Sequence, residues 1–393
     1  MSNTASQPLW NKPFLLCFSN NLFLFIFYFA QTTILPIYIL NELNGSLAQA
    51  GLAMTLFMVS SILVRPFSGL IIEKLGRKKT LFLSESMFCL LSFAYIFADN
   101  LTLLLIIRFI QGIWFSILTT VTVPIANDFI PEQRKGEGMG YFVMSVNLGI
   151  VLGPLLGISL IQTWSYSIIA TVLAVIISLG FAFCFMIPLR EPEKTDTAAT
   201  VRRKLSLHDF MEKKALTVSV MAMLVAFSYA SIMSFISTYA EEKDLLSYAS
   251  MFFIVFAISM MSLRPITGKI YDRYGPRYVI YPSILMFAAG LALLSQMQGV
   301  VSFMVSAIFI GMGFGTLQPC LQTLAIQRAP KSRIGHATST FFTCYDIGIA
   351  LGSLLVGLLI SWKGYSITYL VCAGVVLSSL LFYKFVVNHP ATA

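Results

Sequence analysis

Apolar residues in this chain come in long blocks, with polar residues confined to the short connections between them. The pattern is neither the 3.6-residue period of a surface helix nor the alternation of a half-buried strand. A membrane-spanning helix needs about 20 mostly apolar residues. Twelve blocks meet that length, at about 14–40, 47–72, 79–98, 101–125, 138–162, 165–188, 215–240, 246–271, 278–297, 300–326, 336–361 and 366–388. The expected class is an all-α membrane protein with twelve transmembrane helices. Composition agrees: 57% of the 393 residues are hydrophobic and 11% charged, against about 25% charged in a soluble domain. The first block is too long for a signal-peptide core and no small-residue cleavage site precedes the second, so it is expected to be retained.

The net charge of +9 reports orientation. Lys243 and Lys363 fall in one set of loops, and Arg65, Arg108 and Arg264 fall inside or at the edge of helices. The remaining lysines and arginines lie at the termini or in the loops after spans 2, 4, 6, 8 and 10. Cytoplasmic loops carry such an excess, so both termini are expected in the cytoplasm of a multi-pass plasma-membrane protein. Nucleic acid is thereby excluded as a partner, and the lipid bilayer is the expected one. The one long connection, 189–214, is expected to be a cytoplasmic linker between an N-terminal half, 1–188, and a C-terminal half, 215–393. The six cysteines are scattered, without a CxxC pair or His/Cys cluster, which predicts small packing groups rather than a metal site or disulfides. No P-loop, HExxH or GxSxG is present, so neither enzyme nor cofactor is expected, and energy should come from a gradient. A monomer is expected.

The connections reveal a duplication. Arg65-Pro-Phe-Ser-Gly-Leu-Ile-Ile-Glu-Lys-Leu-Gly-Arg-Lys-Lys79 returns 199 residues later as Arg264-Pro-Ile-Thr-Gly-Lys-Ile-Tyr-Asp-Arg-Tyr-Gly-Pro-Arg277. Gly69 maps to Gly268, Glu73 to Asp272, Lys74 to Arg273, Gly76 to Gly275 and Lys78 to Arg277. The same offset relates Pro131, Arg134 and Gly136 to Pro330, Arg333 and Gly335, and Gly112, Gly149 and Gly153 to Gly311, Gly348 and Gly352. Parallel repeats about an axis along the membrane normal are a transporter architecture, with a cavity expected between the halves at mid-membrane.

Four stretches carry a family resemblance. Gly69-x-x-x-Glu73-Lys74-x-Gly76-Arg77-Lys78 resembles the loop 2–3 signature of the major facilitator superfamily, with Glu where Asp is usual. Arg108-x-x-Gln111-Gly112 resembles its span 4 pattern. Gly149-x-x-x-Gly153-Pro154-x-x-Gly157 resembles the span 5 antiporter motif, with Ile158 in place of a further glycine. Asp128-x-x-Pro131-x-x-Arg134-x-Gly136 closes span 4. The resemblance covers essentially the whole chain. It implies the two-repeat twelve-helix fold and a cytoplasmic gate made of Gly69, Glu73, Lys74, Gly76, Arg77, Asp128, Arg134, Gly268, Asp272, Arg273, Gly275 and Arg277. It implies a role for Arg108 in proton transfer or cavity organisation, and export by drug:proton antiport. Physically, the glycines permit close helix approach and Pro154 permits a kink.

The halves differ where coupling is expected. Arg108 stands about 10 Å inside span 4, where a charge is costly and marks a functional site or a structural hydrogen-bonding role; its counterpart is Ala307. Asp346 reads as the most buried acid, about 15 Å into span 11, sharing a face with Ser339 and Thr343. Its counterpart is Asn147, and it is the expected site for a proton or a substrate cation. Glu85 in span 3 is expected near the cytoplasmic side, paired with a loop cation or snorkelling. Spans 1, 4, 7 and 10 are expected to line the cavity with Tyr28, Gln31, Trp114, Thr119, Tyr229, Ser234, Gln318 and Gln322. That set suits an amphipathic, uncharged or partly anionic solute. The expected partners are thus a small-molecule substrate and protons. The expected function is proton-coupled efflux by alternating access. The alternatives are a proton symporter importing a sugar or organic acid and, in another class, a non-transporting receptor or scaffold.

Overall fold

The computed structural model describes residues 8–161, 163–189 and 211–387. Most of the expected linker (190–210) and both extreme termini lie outside the described residues. The described chain is helical: α1 (Lys12–Asn41), α2 (Leu47–Leu75), α3 (Arg77–Ala94), α4 (Leu101–Asp128), α5 (Lys135–Ile161), α6 (Tyr166–Met186), α7 (Lys213–Glu242), α8 (Ala249–Ser262), α9 (Arg264–Tyr274), α10 (Arg277–Ser295), α11 (Val300–Arg328) and α12 (Ile334–Phe382). Eleven segments among the described residues are long and apolar enough to cross a membrane, α8 and α9 forming one of them. The expected spans 11 and 12 read as one 49-residue helix, α12, broken only at Gly364 (φ 78°, ψ 174°).

The sequence explains the helix ends. Asn11, Ser46 and Asn100 each accept a backbone N–H of the first turn they cap, and Ser46 with Gln49 forms a reciprocal box. Gly76 (φ 83°) ends α2 and Gly275 (φ 92°) ends α9 at equivalent points of the duplicated loop. A side chain is strained at such φ values, which accounts for glycine at both places.

The residues form two compact units. The first takes the chain through Pro131, the stretch from Phe142 through α6, and Lys331–Ser339. The second takes Glu132–Tyr141, the chain from Glu212 to Pro330, and Thr340 onward. In the first unit α2 packs on α4, α1 on α6, and α3 on both α4 and α6. In the second, α11 packs on α10, α8 and α7. Leu90, Phe97, Leu155, Leu354 and Leu358 are among many exposed large apolar side chains, as a lipid-facing surface requires.

Glycines set the closest helix contacts, and they do so in both units. A Cβ on Gly149, Gly153 or Gly157 would stand 2.6 Å from Phe25 Cβ, 2.7 Å from Phe29 Cβ and 2.8 Å from Ile34 Cγ2, so α5 lies directly on α1. In the second unit Gly348 and Gly352 of α12 meet the Met223 and Phe227 carbonyls of α7. The close approach is therefore common to both units. The Pro154 position distinguishes them: its counterpart Ser353 shares a 3.0 Å hydroxyl–hydroxyl hydrogen bond with Ser234 of α7.

Candidate functional site

The duplicated loops build two matching latches, each within one unit. In the first, Arg77 forms an ion pair with Asp128 and donates to the Lys331 carbonyl at 3.3 Å. Glu73 meets His336 Nε2 at 2.6 Å, and Gly69 faces the same residue, its would-be Cβ 2.8 Å from His336 Cα. Ser339 donates to the Arg65 carbonyl. In the second, Asp272 accepts from the Gly136 amide at 2.7 Å and the Glu137 amide at 2.9 Å. A Cβ on Gly268 would stand 2.5 Å from Glu137 Cα, and Arg264 donates to the Gly140 carbonyl at 2.9 Å. His336 and Ser339 stand 199 residues after Glu137 and Gly140, so each loop acid grips the start of the same type of helix.

The physical basis is the set of free N–H groups at a helix N-terminus, which favours a carboxylate. Asp272 uses both oxygens on two such amides. Glu73 instead reaches an imidazole, a partner missing from the sequence-based gate although the repeat offset pointed to it. Arg134 pairs with Glu137 at 2.7 Å, whereas Arg273 and Arg277 lie over the rings of Tyr274 and Tyr278. Lys74 is exposed. Asp272→Ala is expected to leave two buried amides unmet and to cost about 1–3 kcal/mol. Asp272→Asn, with one acceptor oxygen, should lose less. Thermal unfolding of the purified variants reads the difference.

A second cluster lies inside the first unit around Arg108. This side chain is 1% exposed; its Nε donates to the Ala53 carbonyl at 3.4 Å, Nη2 approaches Met54 Sδ at 3.4 Å, and the guanidinium sits 4.5 Å from the Phe57 ring centroid. Tyr95 donates to Gln111 at 2.7 Å and Tyr166 to the Gln31 oxygen at 3.2 Å, with Tyr38 stacked on Tyr166 at 3.7 Å. Arg108 acts electrostatically on both Tyr95 and Tyr166. Phe57 continues into an aromatic wall with Tyr28 and Phe115. The cluster draws on α1, α2, α4, α6 and the turn after α3, which no local pattern could have joined.

The acids are placed differently from expectation. Glu85, not Asp346, is the most buried: its relative exposure is 0%, while Asp346 is half-buried. Glu85 neither snorkels nor meets a loop cation. It lies between α3, α1 and α6, where the Asn20 amide, oriented so that its nitrogen faces two acceptors, donates to Glu85 Oε1 at 3.1 Å and to the Gly180 carbonyl at 3.3 Å; Oε2 has no partner. The expected shared face of Ser339, Thr343 and Asp346 divides between units: Ser339 falls in the first, Thr343 and Asp346 in the second. Thr343 Oγ1 and Asn147 Nδ2 are buried without partners. Trp114 and Gln318 are half-buried, and Tyr229 stacks on Phe314 at 3.7 Å. No group of His, Cys, Asp and Glu among the described residues is arranged to hold a metal ion.

Comparison with known proteins gives a consistent picture. The profile of the Major Facilitator Superfamily matches residues 17–353. The chain is 23% identical to the staphylopine export protein of Staphylococcus aureus, over 94% of this chain and 96% of that one. It is 22% identical to the multidrug resistance protein MdtG of Klebsiella pneumoniae, over 87% and 84%, and 23% identical to the quinolone resistance protein NorA of S. aureus, over 89% and 90%. Among solved structures it resembles the human organic anion transporter MFSD10 (TM-score 0.78, 14% identity, 94% and 98% covered). It also resembles the Escherichia coli fucose:proton symporter FucP (TM-score 0.78, 16% identity, 95% and 98% covered). Apolar helices long enough to span a bilayer, the duplicated loop latches and the match over most of the chain lead to one conclusion: this protein belongs to the Major Facilitator Superfamily, as a multi-pass membrane secondary transporter.

Proposed function

We propose that this protein is a proton-coupled efflux antiporter that exports a small amphipathic solute by alternating access, with twelve membrane crossings and both termini in the cytoplasm. The observation that carries the reading is Pro154, set inside the α5 stripe that Gly149, Gly153 and Gly157 lay on α1, where the equivalent Ser353 of the other unit instead hydrogen-bonds Ser234. The relatives whose names describe export or drug resistance point the same way. The twelve crossings follow from length. At about 1.5 Å per residue, the 49 residues of α12 would extend about 70 Å, more than twice a bilayer core. Its break at Gly364 falls 199 residues after Ser165, which caps α6 after the turn from α5.

In this reading Asp346 is the coupling carboxylate. It is half-buried, one turn from the unpartnered Thr343 hydroxyl, and an acid at membrane depth is costly unless it serves the cycle. Arg108, Gln31 and Asn147 supply the polar part of the solute site. The two latches form the cytoplasmic gate, and their small individual energies suffice to bias states of similar free energy. The test is solute movement in proteoliposomes under an imposed proton gradient of either polarity. Export of solute against proton entry, lost in Asp346→Asn while solute exchange without a gradient persists, is the expected result. Solute moving with protons would replace antiport by symport, and wild-type coupling in Asp346→Asn would remove Asp346 from the mechanism.

A further inference from the structure

Arg108 is a buried cation whose partners are all neutral: the Ala53 carbonyl, the Met54 sulfur and the Tyr95 hydroxyl. A guanidinium carries five N–H donors. Here its contacts to Ala53 and Met54 are long, at 3.4 Å each, and the ion pairs among the described residues do not include it. The acid buried in the same unit, Glu85, is engaged by Asn20 instead. Gln31 adds an unmet donor: the residue is 0% exposed, its oxygen is taken by Tyr166, and its Nε2 has no partner. The Tyr95 hydroxyl donates to Gln111, and its oxygen, a neutral acceptor, takes a hydrogen bond from Arg108. The cluster therefore holds a positive charge without a carboxylate beside it and one spare donor, Gln31 Nε2, and what it lacks is an anionic acceptor. Beside it runs an apolar wall: Phe57 under the guanidinium at 4.5 Å, Tyr28 at 5.2 Å from Phe57, and Phe115 stacked on Tyr28 at 4.9 Å.

We propose that Arg108 and Gln31 are the anion-recognising part of the solute site, and that the solute is an amphipathic organic anion. Its carboxylate or sulfonate meets the guanidinium fork and the Gln31 amide, and its apolar body lies along Phe57, Tyr28 and Phe115. The fork geometry suits a planar two-oxygen acceptor. A cationic solute would bring like charge to a buried arginine, so the same feature selects against it. This inference rests on the reading of the chain as an exporter of small amphipathic solutes.

The test uses the full-length protein in proteoliposomes with four probes: carboxyfluorescein and a naphthalene sulfonate as anions, ethidium as a cation and Nile red as a neutral dye. Transport of the anionic probes is expected. Arg108→Gln should raise their KM at least tenfold, and Arg108→Lys, with the charge but not the fork, should fall between it and wild type. Gln31→Leu should raise KM at least threefold, and it keeps the question open to measurement should Arg108→Gln fail to fold. Movement of ethidium or Nile red without the anions would overturn the anion assignment alone. An unchanged KM in both Arg108→Gln and Gln31→Leu would do the same. If none of the four probes moves under either gradient polarity, the transport reading fails together with it.

Discussion

Gly153→Leu is expected to prevent assembly of the first unit. A Cβ at this position would lie 2.7 Å from Phe29 Cβ and 2.9 Å from both the Ala30 nitrogen and the Ile26 carbonyl oxygen. Two of these three are backbone atoms of α1, which cannot rotate away as a side chain can. Overpacking a close-fitted core costs typically about 1–3 kcal/mol, occasionally more, and leucine brings three further carbons into a space already too small for one. Relief would require α1 and α5 to separate, and α1 is also held on its other side by α6. Lipid offers no compensating drive, because van der Waals fit rather than a hydrophobic effect holds membrane helices together. The variant should lack a monodisperse peak in detergent size-exclusion chromatography. Gly140→Ala, where nothing lies within 4 Å of the new methyl, serves as the control and should behave like wild type. Normal assembly of Gly153→Leu would mean that α5 does not rest on α1 as described.

The second large effect is expected at Glu85. Lysine there would place an ammonium against the Asn20 amide and the α6 backbone, in a position 0% exposed to solvent. Membrane insertion alone penalises a central lysine by about 2.5–3.5 kcal/mol, and an uncompensated buried charge costs about 3–5 kcal/mol in a folded protein. Glu85→Lys should therefore fail to yield folded protein. Glu85→Gln preserves shape and keeps an oxygen for the Asn20 amide, and should unfold within a few degrees of wild type. The pair of results separates enclosure from snorkelling: a side chain that reached the interface would accept lysine readily. Equal thermal stability of Glu85→Lys and wild type would contradict the enclosed position.

Much of the fold was legible because one property dominates in a bilayer. Backbone groups must be satisfied within each span, so apolar length marks the helices, and basic loops mark their orientation. Duplication was legible for the same reason: Gly76 and Gly275 recur at one offset and adopt the same positive-φ geometry. The α5 glycines lie close against α1. Their recurrence in α12 against α7 assigns that stripe to the shared scaffold and leaves Pro154 as the one-sided feature. The Arg77–Asp128 pair was also foreseeable, since both charges stand at helix ends on the same side of the membrane.

What the sequence did not reveal was rotation and partnership. A lipid-facing helix surface is as apolar as a buried one, so hydropathy does not say which face of α3 turns inward. Depth along a span is for that reason not burial: Asp346, deep in its span, is half-buried, and Glu85 is the enclosed acid. Nor could it say that Glu73 meets His336, or that Arg108, Gln31, Tyr95 and Tyr166 share one pocket of polar atoms. Those contacts join residues up to 263 positions apart, and only packing sets them. The sequence alone determined the number of apolar blocks, their repeat, and the chemistry available to the chain. The tertiary structure decided which buried polar groups find partners and which are left wanting one, because that depends on the angle and depth at which helices with nearly uniform apolar surfaces come together.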